Sequence, residues 1–147
     1  MPYALLRGIG PEAKRLFERV EGGEVTAHAS VLVLDELAYR LLLALIKDHY
    51  PGSPLDVLRR QEASLMAEFY PMLLPRLAEL ASFPNLVIES LGTRVWALAQ
   101  QIMLRYALKP QDALHLATMK RIGCLDLASN DSDFDRVPDI RRYCTAS

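Results

Sequence analysis

Cysteine is scarce: the 147 residues contain only Cys124 and Cys144, and neither has the C-x-x-C or Cys/His spacing of a zinc site. Two unlinked, partly buried thiols are expected. Long apolar runs are also missing. The longest aliphatic stretch, Leu41 to Ile46, falls far short of the roughly 20 residues a membrane span needs. The opening MPYALLRGIG has neither a basic n-region nor an apolar core of signal-peptide length, so no membrane association and a cytoplasmic location are expected. Charge of one sign is lacking too. Seventeen Lys and Arg stand against 18 Asp and Glu, giving a net charge of −1. No global positive field attracts nucleic acid, and any RNA contact must come from a local patch. There is no G-x-x-x-x-G-K-[ST] phosphate loop and no G-x-S-x-G elbow. Gly8-Ile9-Gly10-Pro11-Glu12-Ala13 satisfies G-x-G-x-x-A, but no acidic residue ends the next strand to take a ribose hydroxyl. His28, His49 and His115 are scattered without metal-ligand spacing, so each is read as structural.

What is present is apolar material in quantity. At 51% hydrophobic and 24% charged residues, the composition excludes wholesale disorder and suits one domain over 1–147. Gly10-Pro11 opens a helix to about Glu21. Val25 to Ala29 reads as a strand, and Ser30 as the N-cap of an unusually apolar helix to about Lys47. Pro54 starts a helix to about Phe69, and Pro71 and Pro75 introduce another to about Ala81. Leu86 to Glu89 is the second strand, and Thr93 caps a helix ended by Lys109-Pro110. A further helix runs from there to Gly123. Leu125 to Ala128 and Ile140 to Cys144 complete the strands, joined by the polar loop SNDSDFDRVPD. Strands separated by helices cannot pair as hairpins, so an α/β fold is expected, with a parallel sheet flanked by helices on both faces. In such a sheet Cys124 and Cys144 lie too far apart to bridge, and ligands sit at the strands' carboxyl ends.

Three acidic positions then stand out. Asp112 lies in the first turn of its helix, where the macrodipole favours a carboxylate by about 0.3–1 kcal/mol. Asp131 and Asp133 follow the third strand in Ser129-Asn130-Asp131-Ser132-Asp133-Phe134, at the carboxyl edge, where an Asx-type turn is the plain alternative. Glu36 sits among Val31, Leu32, Val33, Leu34, Leu37 and Ala38, and needs a partner. Arg40 at i+4 is the simple one. Asp35 competes with Glu36, but adjacent helical residues point about 100° apart. If Glu36, Asp112 and Asp131 converge, each pair of like charges 4 Å apart repels by about 4 kcal/mol at an effective dielectric near 20. Such a cluster wants a cation. All-oxygen ligation suits Mg²⁺ or Mn²⁺, which dock phosphate oxygens and support phosphodiester hydrolysis.

The segments GPEAKRLFERVEGGEV, SVLVLDEL, KPQDALHLATMKRIG and LASNDSDFDRVPDI occur in an order that resembles the PIN-domain ribonucleases, especially VapC-type toxins. The DALHLA helix start followed by a strand and D-x-D-F carries most of the specificity. The resemblance implies a PIN-like three-layer sandwich cleaving single-stranded RNA with Mg²⁺ or Mn²⁺. It implies Glu36, Asp112 and Asp131 as catalytic metal ligands, with Asp133 contributing through water. Ser129 and Asn130 would shape the loop and reach a water or phosphate, and His115 would pack or hydrogen-bond. Arg94, Lys120, Arg121 and Arg136 are the cations nearest the motifs for RNA. Family members also begin with a central strand ending in Asp-Thr-Asn or Asp-Thr-Ser, whose Asp binds metal. MPYALLRG aligns with the stretch just after that motif, and Tyr3 to Leu6 could replace the strand only in part. The chain as it stands is therefore expected to lack that strand and its acid, and to bind metal less tightly. Either the true start lies upstream, or the chain is a shortened form that has lost hydrolysis, the second slightly favoured; the function expected remains a metal-dependent endoribonuclease, impaired to the extent that the acid is missing. The alternative function is a non-catalytic interaction module that forms a homodimer or engages an antitoxin-like partner through the apolar helices.

Overall fold

The computed structural model describes residues 10–144. The candidate strand at Tyr3 to Leu6 and the start of the glycine motif at Gly8 lie outside them. Gly10 is the N-cap of α1 (Pro11–Glu21), with proline in the first turn where its missing N–H costs nothing. One side of α1 is tied down through Val20, whose carbonyl accepts from Asn85 Nδ2 at 2.9 Å, and by an edge-on contact of Phe17 with Phe83. The rest is a solvated face of ion pairs, among them Lys14 with Glu18 and Arg15 with Glu12.

Strand β1 (Ala27–Ser30) leads without a loop into α2 (Val31–His49). Helix α3 (Pro54–Ala81) is kinked at Gln61 but continues through Pro71 and Pro75, whereas the sequence suggested two helices divided near Pro71. Proline removes the bond to the carbonyl four residues earlier. Pro71 and Pro75 are both exposed, as is Ala67, so the prolines lie on the solvent side of the helix. On the other side Leu65, Phe69 and Leu73 recur every four residues and stay buried against Leu42 and Ile46 of α2. That continuous apolar seam outweighs the two prolines. The one non-helical residue is Gln61 (φ −134°, ψ 30°), upstream of both.

Strand β2 (Leu86–Glu89) pairs in parallel with β1, Ala27 opposite Leu86 and Ser30 opposite Glu89. Helix α4 (Thr93–Tyr106) is N-capped by Gly92, so Thr93 is its first residue instead of its cap. It ends at Ala107 in the left-handed conformation (φ 53°), which turns the chain directly into α5 (Pro110–Ile122). Gly123, at φ 70°, closes α5 in the conformation that glycine adopts without a Cβ penalty. Strand β3 (Asp126–Ala128) pairs in parallel with β4 (Arg141–Tyr143), and the connection, residues 129–140, contains a 3-10 helix at Ser132–Arg136. A parallel crossover needs about a dozen residues, and this one is near that minimum.

The α/β, parallel-stranded architecture expected from the sequence is therefore present. Among the described residues the strands form two parallel pairs, β1–β2 and β3–β4, in place of one continuous sheet. Two apolar clusters support them. One joins α2 and α3; the other packs Val95, Ala99 and Ile102 of α4 on Ala113, Leu116 and Ala117 of α5, with Val137 beyond. No disulfide joins Cys124 and Cys144, and Cys144 is exposed where partial burial was expected. No helix among the described residues is long and apolar enough to cross a membrane.

Leu65 and Leu116 are both fully buried, one in each cluster. Leu65→Ala and Leu116→Ala should each cost about 2–5 kcal/mol in urea unfolding. Leu104→Ala, at a residue 89% exposed, should stay within about 0.5 kcal/mol.

Candidate metal centre

Three carboxylates meet where α5 begins and β3 ends. Asp112, Asp131 and Asp133 each offer an oxygen, and these oxygens lie within 4.8 Å of one another. Asp112 is delivered by the α4–α5 turn. Lys109 is the N-cap of α5 and Pro110 fixes its first turn, while Ala113 N–H donates to the Lys109 carbonyl at 2.9 Å. The side chain of Asp112 is only 14% exposed, and its Oδ2 is buried without a hydrogen-bond partner among the described residues. Lys109 Nζ stands 3.8 Å from that oxygen, close enough for charge attraction but too far for a hydrogen bond. Burial pushes the Asp112 carboxyl above its ordinary range. Asp131 and Asp133 push the same way, and Lys109 and His115 oppose them.

The other two acids come from the loop after β3. Ser129 N–H donates to the Tyr143 carbonyl at 3.0 Å, and Arg142 Nη1 donates to the Ser129 carbonyl at 3.1 Å, so the parallel pairing sets where the loop departs. Arg142 also makes a two-pronged bond to Asp135, at 2.7 and 2.9 Å, which holds the Asp135 carboxyl below its usual range. Asp131 N–H donates to Ser129 Oγ at 3.1 Å, and Asp131 Oδ1 accepts from Asp133 N–H at 2.9 Å. The Asx turn anticipated as the plain alternative is thus real, and it is also what turns Asp133 back toward Asp112. Arg136 binds Asp133 Oδ1 at 3.1 Å and the Ala107 carbonyl at 2.9 Å, pinning the loop to the α4–α5 turn.

Glu36 stands outside this group of three. Its Oε1 lies 3.5 Å from His115 Nε2, and His115 Nδ1 lies 3.4 Å from Ser30 Oγ. His115 follows Asp112 by one turn of α5, so it joins the helix of Glu36 to the helix of Asp112. Arg40, the simple partner considered for Glu36, is exposed and makes no ion pair among the described residues. Asp35 is exposed while Glu36 is half-buried, which decides between those neighbours. Ser129 shapes the loop as expected. Asn130 Oδ1 accepts from Cys144 Sγ at 3.3 Å at its outer side. Of the four cations singled out for RNA, Lys120 pairs with Asp139, Arg121 with Glu89 and Arg136 with Asp133, and Arg94 alone makes no ion pair among the described residues.

The donor set fits a hard divalent cation. It is all oxygen, it crowds like charge, and it contains a buried carboxylate oxygen with no hydrogen-bond partner among the described residues. Sequence reasoning missed Lys109, although a lysine three residues before a helix-start acid is the spacing at which side chains meet. It also missed Glu89, mostly buried between His28 at 2.9 Å and Arg121 at 2.9 Å, which needed the β1–β2 register to be seen.

The PIN domain family model matches residues 4–140 of the chain. Ribonuclease VapC2 of Methanocaldococcus jannaschii is similar, 26% identical over 128 residues that cover 86% of this chain and 77% of the relative. No solved structure matches the chain.

Because burial raises the Asp112 carboxyl, ionising it works against the metal-free fold. That contribution to stability is complete below the carboxylate's unfolded value and is lost as pH rises through its higher folded value. In EDTA at pH 7, Asp112→Asn should therefore raise the melting temperature, with the gap from the wild type narrowing as pH falls through the carboxylate range. A lower melting temperature for the variant would contradict this balance of forces.

Proposed function

The chain belongs to the PIN domain family, and from that premise we propose that it is a toxin-type endoribonuclease that cleaves single-stranded RNA with Mg²⁺ or Mn²⁺. The observation that carries this reading is the convergence of Asp112, Asp131 and Asp133 around a buried, unsatisfied Asp112 oxygen. These three side chains would hold the ion. A divalent cation there activates water and neutralises charge developing on a phosphodiester. The protein's own part is positional. Asp131 fixes the loop through its turn, Arg136 anchors that loop to Ala107, and α5 presents Asp112. Glu36, beside His115, which in turn faces Ser30, would act as an outer acid that orients water at the site's edge. Ser129 and Asn130 act as loop formers near the phosphate. Arg94, in the first turn of α4, is the cation left to meet the RNA backbone. The relative's name, a ribonuclease, supports RNA as the substrate. With a net charge of −1, binding should be weak and strongly dependent on salt. A cytoplasmic location and an antitoxin-like protein partner belong to the same reading.

One observation favours a second reading, in which the chain acts as a homodimer or protein-binding module. Helices α2 and α3 leave Val31, Val33, Tyr39, Leu55, Met72 and Leu74 exposed. Apolar surface of this extent suits a protein partner. Sedimentation at micromolar concentration should then give a dimer, and a monomer would remove this reading.

The test of the nuclease reading is a Mn²⁺ titration by calorimetry alongside cleavage of a labelled single-stranded RNA. Asp112→Asn should weaken Mn²⁺ binding by about tenfold or more, since even changes beyond the direct ligands typically cost that much. Glu36→Gln should leave affinity closer to that of the wild type while slowing cleavage. Equal Mn²⁺ affinity in the wild type and Asp112→Asn would remove the site.

A further inference from the structure

The three acids are not bare: Lys109 Nζ lies 3.4 Å from Asp133 Oδ2 and 3.8 Å from Asp112 Oδ2. We propose that Lys109 is the cluster's resident counter-cation, an ammonium that holds the acids together without metal and that a divalent ion must displace in order to bind. The inference rests on the metal reading above and adds a competitor to it.

The geometry separates Lys109 from Arg136, the other cation on Asp133. The Arg136 guanidinium is committed twice, to Asp133 Oδ1 and to the Ala107 carbonyl, so it belongs to the loop's framework. The Lys109 ammonium faces only the acids of the cluster among the described residues. Its backbone is fixed as the N-cap of α5, while its side chain is 68% exposed on a four-carbon stem. The head can leave without disturbing the helix. Its fit is also poor, because at 3.8 Å it gives Asp112 Oδ2 attraction but no hydrogen bond, and that oxygen stays unsatisfied.

The two cations exclude each other. A small divalent ion sits about 2.0–2.1 Å from each ligand oxygen. An ion held by Asp112 and Asp133 would draw on the same two carboxylates that the ammonium faces. Like charges so close in a partly buried site repel strongly, and only the flexible one can retreat. Metal loading is therefore an exchange of one protein cation for one ion. The lysine lowers apparent metal affinity while keeping the empty cluster from forcing itself apart.

The test compares wild type, Lys109→Met, Lys109→Arg and Asp112→Asn by Mn²⁺ calorimetry, with melting curves in EDTA and in excess Mn²⁺. Lys109→Met should bind Mn²⁺ about five- to tenfold more tightly than the wild type. It should also melt lower in EDTA and gain more in melting temperature from Mn²⁺. Lys109→Arg, which keeps the charge, should return affinity to the wild-type value or weaken it. Equal or weaker Mn²⁺ binding by Lys109→Met, with binding still lost in Asp112→Asn, overturns the role of Lys109 and leaves the metal site standing. Wild-type protein that binds no Mn²⁺ overturns both.

Discussion

Mutual repulsion among Asp112, Asp131 and Asp133 is the constraint around which the C-terminal half is organised. Carboxylates this close separate unless something rigid holds each of them. The rigidity comes from two directions. The seam of Ala99, Ile102, Ala113 and Leu116 locks α4 to α5 and fixes the turn at Ala107, so Asp112 has one position. The β3–β4 pairing and the Arg142–Asp135 bond fix the loop, so Asp131 and Asp133 have theirs. Arg136 then ties the two supports together through the Ala107 carbonyl. Arg142 and Arg136 thus add to the apolar seam and the strand pairing in holding a site crowded with negative charge.

The N-terminal half reaches the same place by a thinner link. Ser30 ends β1, and its hydroxyl faces His115, whose other nitrogen faces Glu36 on α2. Glu89, opposite Ser30 in the strand register, is bound by His28 from β1 and by Arg121 from α5. The carboxyl ends of both strands are thus joined to α5 by polar contacts, while the apolar packing of α2 stays mainly with α3. The N-terminal half brings Glu36 to the periphery, and the C-terminal half supplies the three clustered acids.

How much of this was legible in the sequence depends on the range of the interaction. Asp112 at a helix start, Gly123 past a helix end and the D-x-D turn are local patterns, and each appears where its spacing put it. Glu36 was visible as an acid out of place in an apolar helix. Its partner was not, because His115 is 79 residues away along the chain by its number and meets it only through tertiary packing. Pro71 and Pro75 misled for the opposite reason: a strong local signal for a break was overridden by Leu65, Phe69 and Leu73 packing on α2. The pairing of the strands into two sets also depends on tertiary contacts that periodicity does not encode.

Asp131 carries two duties on one carboxylate, since the oxygen that accepts from Asp133 N–H sets the turn and the group's charge serves the cluster. An amide at this position retains a carbonyl oxygen able to accept that bond while shedding the charge. Architecture and chemistry are consequently separable here by exchanging a single oxygen for NH₂. A lineage could silence the site and inherit an intact scaffold, so a folded relative with asparagine at this place is no guarantee of a working one.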